Sequence, residues 1–295
     1  MFSRGGHLPK EATTPTSAFL DRTTPTSSFL DSVNLTVVRT SPAGQEWEKF
    51  LPSGEKSADW CPKRGTRAGD FVEGIYRSTA LARTGVCQKM VRIGADGDGG
   101  KNICLDGIDK DSCVVYSLGS HLDFTFETEI LRKLGCTVHS FDCTVGSPHA
   151  RTIPVGVQFH PWCVGGKDEV NGISSDLGHA GEQRQYFTLS TIMATLNHTR
   201  VDLVKMDIER HEFAVIASLT EGFAPAQIAF ETHLHNAYGM WGGPVLYKQW
   251  EGLWQKLDQL GLLVVAHEPN PLCLCCCEFT VLFNQVFDLV VQNTQ

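Results

Sequence analysis

The stretch that decides the fold is Val201–Phe213, VDLVKMDIERHEF, in which an apolar run ends in a turn of acidic residues. Two other runs have the same form: Val114–Phe126, VVYSLGSHLDFTF, breaks at a glycine, and Thr137–Asp142, TVHSFD, ends in an acid. Buried parallel strands deliver functional groups in this way to the carboxyl edge of a doubly wound sheet. Three such edges predict a crevice that binds a cofactor.

Strands and helices alternate on both sides of this stretch. Apolar runs predict strands at residues 114–118, 137–141, 155–159, 201–208, 227–232, 262–266 and 279–283, the last of them antiparallel. Apolar stripes at helical spacing predict helices at residues 124–134, 189–196, 211–219 and 244–260. Alternation of this kind is typical of a three-layer α/β sandwich.

The amino-terminal region differs in composition from the rest. Thr13–Asp21, TTPTSAFLD, recurs as Thr23–Asp31, TTPTSSFLD, in a segment rich in Thr, Ser and Pro. Such a composition buries too little apolar surface to offset the entropy lost on ordering. The sequence therefore predicts a disordered arm over residues 1–58 and a folded domain over residues 59–295.

A glycine-dense segment follows the first predicted helix, Phe71–Met90. Arg92–Lys101 reads RIGADGDGGK, and its glycines permit positive φ and close backbone approach. A phosphate-binding loop would need these glycines between a strand and a helix, with Lys followed by Ser or Thr. Because that context is missing, the segment predicts a β-hairpin or tight turn that leads into Asn102–Asp106.

The net charge of the sequence bears on the kinds of molecule that the protein can bind. Lys plus Arg number 25 against 33 for Asp plus Glu, a net charge of −8. This balance argues against non-specific binding of nucleic acid, which requires clustered cations. No apolar run is long enough for a membrane span, so a soluble protein is expected.

The cysteines leave the compartment open. There are eleven, so at least one thiol stays free if the others pair. A secretory lumen would suit them if an upstream signal or anchor is missing, and the cytoplasm is the alternative. The crowded Cys273–Cys277 loop lacks the spaced ligand pairs of a zinc site, which favours buried thiols with at most one disulfide.

A glycine turn and a later acid form the candidate cofactor site. Gly119 lies between the first predicted strand of the sheet and a helix, and Asp142 follows about 20 residues later. An acid at that distance holds ribose hydroxyls in this architecture. The predicted cofactor-binding residues are therefore Gly119, Ser120, Asp123 and Asp142.

Several of these segments resemble a known family. Phe187–Ser190, Val201–Glu212 and Gln227–His233 resemble FkbM-type S-adenosylmethionine-dependent methyltransferases. Arg92–Cys104 and Tyr116–Asp123 resemble, within that group, the methyltransferase-like proteins related to methyltransferase-like protein 24. The resemblance implies a class I, Rossmann-like methyltransferase fold, a mostly parallel seven-stranded sheet with one antiparallel strand, and S-adenosylmethionine as cofactor.

The resemblance also implies residue roles. Asp207, Glu231 and His233 match acidic and polar positions after the fourth and fifth strands and are the predicted catalytic residues. Arg210 departs from the pattern, since the family usually has glycine there, and this puts the backbone turn in doubt. Whether Glu231 and His233 hold a divalent metal with His235 and Asp207, act as a base, or contact substrate stays open at this stage.

The implied function is methyl transfer to a hydroxyl of a small molecule or glycan. The acceptor pocket is expected in the loops 159–177 and 235–243, which carry Trp162, Tyr238 and Trp241. Two alternatives remain. One is a catalytically idle member that binds a metabolite or partner, and the other is a dinucleotide-dependent oxidoreductase, disfavoured because the turn at Gly119 lacks the second and third glycines.

Overall fold

The computed structural model describes residue 65 and residues 67–145, 152–173, 181–234, 243–270 and 273–283. The predicted arm and its boundary with the folded domain lie outside these residues, and so do His235, Tyr238 and Trp241. Among the described helices, none combines the length and the apolar composition that a membrane-spanning segment requires.

The described part of the chain contains twelve strands and five helices. In chain order the strands are β1 (Met90–Ile93), β2 (Lys101–Cys104), β3 (Val114–Leu118), β4 (Thr137–Phe141), β5 (Val157–His160), β6 (Cys163–Val164), β7 (Glu169–Ile173), β8 (Gln183–Phe187), β9 (Leu203–Met206), β10 (Gln227–His233), β11 (Leu262–Pro269) and β12 (Cys276–Phe283). The helices are α1 (Arg67–Ala82), α2 (Thr125–Leu134), α3 (Leu189–Thr195), α4 (His211–Ser218) and α5 (Gly243–Gln259).

The central sheet contains seven of the described strands, in the spatial order β11-β12-β10-β9-β3-β4-β5. Neighbours are parallel except that β12 is antiparallel to both β10 and β11. The predicted seven-stranded sheet with one antiparallel strand is therefore confirmed. Because β3, β4, β9 and β10 are parallel, their carboxyl ends meet at one edge.

The sheet separates two apolar layers. On one face Val204, Ile228 and Phe230 pack with the side chains of α1, α4 and α5, among which Trp250 and Trp254 are buried. On the other face Val115 and Ala229 pack with apolar residues of α2 and of the β1–β2 hairpin. This arrangement is the three-layer sandwich that the sequence predicts, with the hairpin added to the layer of α2.

Most element bounds agree with prediction, but the first helix does not. The predicted helix Phe71–Met90 ends at Ala82, and Met90 instead begins strand β1. The helix ends early because Thr84 forms an isolated bridge with Val264 and the Gly85 amide donates to the Val264 carbonyl. The glycine-dense segment after it is a β-hairpin as predicted, since β1 and β2 pair antiparallel.

A small sheet includes strands from residues 159–173, the described part of the predicted loop 159–177. Strands β6, β8 and β7 pair in that order, and β5 begins at Val157 and extends to His160. The prediction of a loop is wrong for residues 159–173 because β6 has 2 residues and β7 has 5, and neither alternates between buried and exposed positions in a way that a sequence pattern detects. In this order β6 and β7 each pair with β8.

Most described cysteines are paired. Disulfides join Cys87 to Cys104, Cys113 to Cys136, Cys143 to Cys163 and Cys273 to Cys276, and Cys275 is also disulfide-bonded. Cys277 is buried with a free thiol. The expectation of buried thiols with at most one disulfide in the crowded loop is wrong for three of its four cysteines, since Cys273, Cys275 and Cys276 are disulfide-bonded and Cys277 alone is a buried thiol there.

Candidate active site

A pocket of about 370 Å³ opens at the carboxyl ends of β3, β4 and β9. Its lining comprises Asp98, Gly119, His121, Phe141, Asp142, Cys143, Thr144, Trp162, Cys163, Val164, Tyr186, Asp207, Ile208, Glu209 and His211. Most of these residues come from the three edges that the sequence predicts, and Asp98, Trp162, Cys163, Val164 and Tyr186 come from the hairpin and the small sheet. The Cys143–Cys163 disulfide forms part of the wall. The volume lies in the range of small-molecule and cofactor sites.

Gly119 lies where the strand ends approach most closely. Its φ is 76°, and a Cβ built on it would lie 1.8 Å from the Asp207 carbonyl oxygen. Its amide donates to the Phe141 carbonyl at 2.9 Å, and the buried Lys205 ammonium donates to its carbonyl. The turn is therefore glycine because both conformation and space exclude a side chain.

Asp142 is a fixed part of the pocket wall. One carboxylate oxygen accepts from the His121 amide at 2.8 Å, and the other accepts from the amide and hydroxyl of Thr144 at 2.9 and 2.7 Å. The carboxylate is thus held in one orientation, and the oxygen with a single protein donor can accept a further hydrogen bond from a ligand.

The other two predicted cofactor residues lie elsewhere. Asp123 lines a neighbouring open groove of about 830 Å³, and its carboxylate accepts from the Thr125 amide at 2.9 Å. Ser120 is buried and is absent from the lining of both cavities. Of the four residues predicted to bind cofactor, the structure brings together Gly119 and Asp142.

Four acids form a row across neighbouring strands beside the pocket. Glu231 on β10 lies opposite Glu278 on β12, which in turn lies opposite Glu268 on β11. Asp207 follows β9 and extends the row on the other side, because Met206 pairs with Phe230. Like charges directly opposite one another destabilise a sheet, so the row requires compensating cations.

Lys101 supplies one of these cations from β2. Its ammonium lies 2.6 Å from a Glu278 oxygen and 3.5 Å from an Asp207 oxygen, and the residue is 1% exposed. Burial opposes the charged form, but the carboxylates of Asp207, Glu278 and Glu231 outweigh it and raise the pKa of Lys101. The lysine is therefore charged inside the protein.

His233 supplies a second positive charge. Its Nδ1 lies 3.3 Å from the buried Glu212, and its Nε2 lies 3.6 Å from Glu231 and 3.8 Å from Asp207. Burial lowers the pKa of an imidazole, but the three carboxylates raise the pKa of His233 well above its usual value. A protonated imidazole cannot accept a proton, so the carboxylates are the candidate bases here.

The carboxylates differ in protonation. Burial, followed by repulsion from Asp207 and Glu278, raises the pKa of Glu231 to about 8, and burial raises the pKa of Glu278 to about 7. Burial acts in the same direction on Asp207, but Lys101, Lys205 and His233 outweigh it and lower the pKa of Asp207. Asp207 is thus the ionised acid that faces the pocket, and Glu231 holds a proton at neutral pH.

The cluster also has the donors for a cation. Asp98, Asp207, Glu231 and Glu278 each offer an oxygen, all within 4.8 Å of one another, and Asp207, Glu212 and His233 form a second such group. Oxygen donors of this kind suit hard divalent ions. The set differs from the predicted one, since Asp98 and Glu278 join it and His235 lies outside the described residues.

Arg210 stands where the family that the sequence resembles usually has glycine, so its backbone conformation shows whether the turn is kept. Its φ of 81° and ψ of −7° are left-handed, and it precedes the first residue of α4. Glu209 before it has a φ of 51°. The backbone thus makes the turn that glycine would make, and Arg210 adopts a conformation that L-residues disfavour.

Sequence reasoning missed three parts of the site. Lys101, Glu278 and Asp98 carry no signal of their own, because the lysine lies in a hairpin far from the glutamate in the chain. The glycine-dense Arg92–Lys101 segment is the signal that could have drawn attention to the hairpin. Trp162, one of the aromatic residues predicted for the acceptor pocket, lines this pocket. Its ring centroid lies 4.7 Å from that of His160.

The strand order, the antiparallel β12, the close glycine turn and the acid at the end of β4 define a class I methyltransferase domain. The chain belongs to the family described as "Methyltransferase domain", whose model matches residues 73–282. The FkbM type within such proteins stays a prediction.

Among known proteins the chain is similar to "Probable methyltransferase-like protein 24" of Homo sapiens, at 28% identity over 144 residues, and of Rattus norvegicus, at 27% over 143. Each match covers 45% of this chain and 38% of the relative, so the chain matches well under half the length of these relatives.

The chain also has a low similarity to two solved structures. The Methanococcus jannaschii fibrillarin pre-rRNA processing protein has 9% identity and a TM-score of 0.37, with 68% of this chain and 87% of that chain covered. The Burkholderia thailandensis 1,6-didemethyltoxoflavin-N1-methyltransferase has 11% identity and a TM-score of 0.32, with 90% and 93% covered.

Proposed function

We propose that this protein is an S-adenosylmethionine-dependent methyltransferase whose cofactor occupies the pocket at the ends of β3, β4 and β9. Membership of a methyltransferase family supports the activity. The observation that carries the placement is Asp142, held by His121 and Thr144 with an oxygen free to accept from a ribose hydroxyl. The turn at Gly119 would then lie beneath the methionine part.

The residues of the pocket suit this chemistry. S-adenosylmethionine, when bound, supplies a methyl group already activated by its positive sulfonium. The ionised Asp207 provides negative charge beside the pocket, which favours a cationic cofactor. The remaining tasks of the protein are to align the acceptor and to exclude water.

Proton removal from the acceptor falls to the acids. Asp207 faces the pocket, whereas Glu231 and His233 lie behind it and tune its charge. We propose that the ionised Asp207 accepts the proton of the acceptor as the methyl group is transferred, and that Glu231, which already holds a proton, stays neutral behind it. The acceptor class stays the predicted one, a hydroxyl of a small molecule or glycan.

The test is calorimetric titration of the full chain with S-adenosylmethionine, with NAD as a second ligand. Asp142→Asn keeps the shape of the side chain and removes its charge. Asp123→Asn, which makes the same change in the turn after β3 and outside the pocket, is the matched control. We expect S-adenosylmethionine to bind, Asp142→Asn to weaken binding by about tenfold or more, and Asp123→Asn to leave it nearly unchanged.

The other possible results of this titration favour a different function or contradict the proposal. Binding of NAD in place of S-adenosylmethionine would favour the oxidoreductase alternative. Tight binding of S-adenosylmethionine with no methyl transfer across a panel of hydroxyl and amine acceptors would favour the idle member. A folded protein that binds neither ligand would contradict the proposal.

We also propose that the protein resides in an oxidising cellular compartment. The disulfides Cys87–Cys104, Cys113–Cys136 and Cys143–Cys163 support an oxidising environment, in which such bonds form and persist. Mass spectrometry of the protein purified from its native cells, after alkylation without reductant, tests this. Recovery of these cysteines as alkylated thiols would contradict it.

A further inference from the structure

The β1–β2 hairpin delivers two cations to the row of acids. Arg92 on β1 pairs with Glu268 at the outer end of the row, and Lys101 on β2 reaches Glu278 and Asp207 at the inner end. The hairpin is anchored to the sheet by Gln227, whose side chain bonds both the amide and the carbonyl of Cys104 at 2.8 Å. The position of the lysine is therefore set by the fold rather than by a flexible side chain alone.

The inner end of the row is a set of donors that a divalent cation would suit. The oxygens of Asp98, Asp207, Glu231 and Glu278 lie within 4.8 Å of one another. Glu278 is 8% exposed, and its second oxygen is buried without a hydrogen-bond partner among the described residues. Yet the Lys101 ammonium already lies 2.6 Å from the first oxygen of Glu278.

We propose that Lys101 is a positioning residue that acts as the built-in cation of this site and takes the place of a divalent metal ion. An ammonium and a divalent ion repel each other strongly at such short range in a poorly solvated site, so the lysine and a metal are mutually exclusive. The proposal gives Lys101 a role in the methyl transfer proposed above, and for that role it depends on the proposed function.

The effect of Lys101 reaches the pocket through Asp207. The ammonium lies 3.5 Å from the Asp207 carboxylate, which lines the pocket, while Lys101 itself does not. Holding Asp207 as an anion keeps negative charge beside the cofactor. The raised pKa of Glu231 favours a proton there, behind the pocket, rather than on Asp207.

The first test measures Mn²⁺ binding to the full chain from the loss of the free-ion signal in electron paramagnetic resonance. Wild type is expected to bind no Mn²⁺ at this site. Lys101→Met, which keeps the length but removes the charge, is expected to gain a site at least about tenfold tighter than any in wild type. Lys101→Met/Glu278→Gln is expected to lose it again.

Arg92→Met is the matched control, since it removes the other cation of the same hairpin from an acid outside the four-donor set. It is expected to leave Mn²⁺ binding as in wild type. If Arg92→Met gains the same site, general loosening of the hairpin explains the gain and the proposal fails.

The second test measures S-adenosylmethionine affinity by calorimetry between pH 4.5 and 6.5. In Lys101→Met, Asp207 keeps Lys205 and His233 but loses the Lys101 ammonium at 3.5 Å, so the affinity should fall more steeply on the acid side than in wild type, by at most about tenfold per pH unit for one linked proton. Wild type, Lys101→Arg and Arg92→Met should change much less over this range. An identical pH dependence in Lys101→Met and Arg92→Met would overturn the positioning role.

If Lys101→Met does not fold, Mn²⁺ binding to wild type and to Glu278→Gln still tests the proposal. Mn²⁺ binding by wild type that Glu278→Gln abolishes would overturn the proposal, and its absence at millimolar Mn²⁺ would support it. The Mn²⁺ test needs no cofactor, so a failure of S-adenosylmethionine to bind contradicts the proposed function and leaves this test standing.

Discussion

Gly119 directly follows β3 and lies against the backbone of Asp207, which directly follows β9. Its positive φ and the contact of a built Cβ with the Asp207 carbonyl at 1.8 Å are two separate constraints. A glycine such as Gly99, with a φ of 82° and nothing within 4 Å, carries only the first. A comparison of substitutions at Gly119 and Gly99 therefore separates the cost of a left-handed backbone from the cost of a steric clash.

Gly119→Ala is expected to lower the free energy of unfolding by about 3 kcal/mol or more, because strain and overpacking add. Gly99→Ala should cost about 1 kcal/mol from strain alone. Urea denaturation of both variants checks this, together with S-adenosylmethionine binding, which only Gly119→Ala should abolish. Equal costs would show that the backbone can move away from Asp207.

Substitutions of Arg210, at the same edge of the sheet, test how much its left-handed backbone conformation costs in stability. Arg210→Gly and Arg210→Ala both remove the side chain, but only glycine relieves the left-handed conformation at φ 81°. We expect Arg210→Gly to be more stable than Arg210→Ala by about 1 kcal/mol in urea denaturation. The reverse order would mean that the turn opens when the arginine is absent.

At the scale of elements, the hairpin and the sheet are joined by a buried polar contact. Gln227 is fully buried and satisfies both polar backbone groups of Cys104. The contact links β2 to the start of β10. It fixes where the hairpin lies and, with it, where Lys101 reaches the acids.

Gln227→Leu leaves the Cys104 amide and carbonyl without partners in the interior. We expect a loss of roughly 2–4 kcal/mol in the free energy of unfolding and faster hydrogen exchange of the β2 amides. Gln158→Leu on the exposed face of β5 is the control and should be nearly neutral. A neutral Gln227→Leu would contradict the anchoring role of this contact.

Strands β4 and β5 carry a pair of stacked histidines. The His139 Nδ1 and His160 Nε2 atoms lie 3.0 Å apart, and the rings stack at 5.2 Å. Burial, followed by the charges of His160 and His198, lowers the pKa of His139 from 6.5 to about 4. The folded state therefore favours neutral imidazole.

The sign of the pH effect follows. Because the folded pKa lies below the unfolded one, the contribution of His139 is complete above pH 6.5 and is lost as pH falls toward 4. We expect wild type to lose roughly 2 kcal/mol more than His139→Gln between pH 7 and pH 4.5. Urea denaturation at several pH values measures the difference, and equal losses would assign the acid sensitivity to other groups.

At the scale of the whole molecule, one disulfide joins two neighbouring strands of the central sheet and another joins the central sheet to the small sheet. Cys113–Cys136 links the starts of β3 and β4, with a sequence separation of 23, and Cys143–Cys163 links the ends of β4 and the small sheet. The first supports the fold alone, whereas the second borders the pocket.

Replacing both cysteines of either pair by serine should lower the free energy of unfolding by about 3 kcal/mol. Only the Cys143/Cys163 double variant should also weaken S-adenosylmethionine binding. Cys277→Ala, which removes a buried thiol but no cross-link, is the control for packing loss. Equal effects of both pairs on binding would mean that the pocket depends on global stability rather than on its own wall.

The sequence by itself determined the sheet and the glycine–acid edge. Strands β3, β4, β9 and β10 and the helices between them were predictable because apolar periodicity and end signals such as Gly135, in left-handed conformation at φ 66°, act over a few residues. Asp142 and Asp207 were predictable for the same reason, since each directly follows its strand.

Only the tertiary structure decided the chemistry behind that edge. The small sheet, the early end of α1 and the meeting of Lys101 with Glu278 depend on contacts between segments far apart in the chain. The protonation of Asp207, Glu231 and His233 depends on burial and on charges brought together by strand register. Long-range packing sets these properties, and local sequence patterns carry no record of which distant residues will meet.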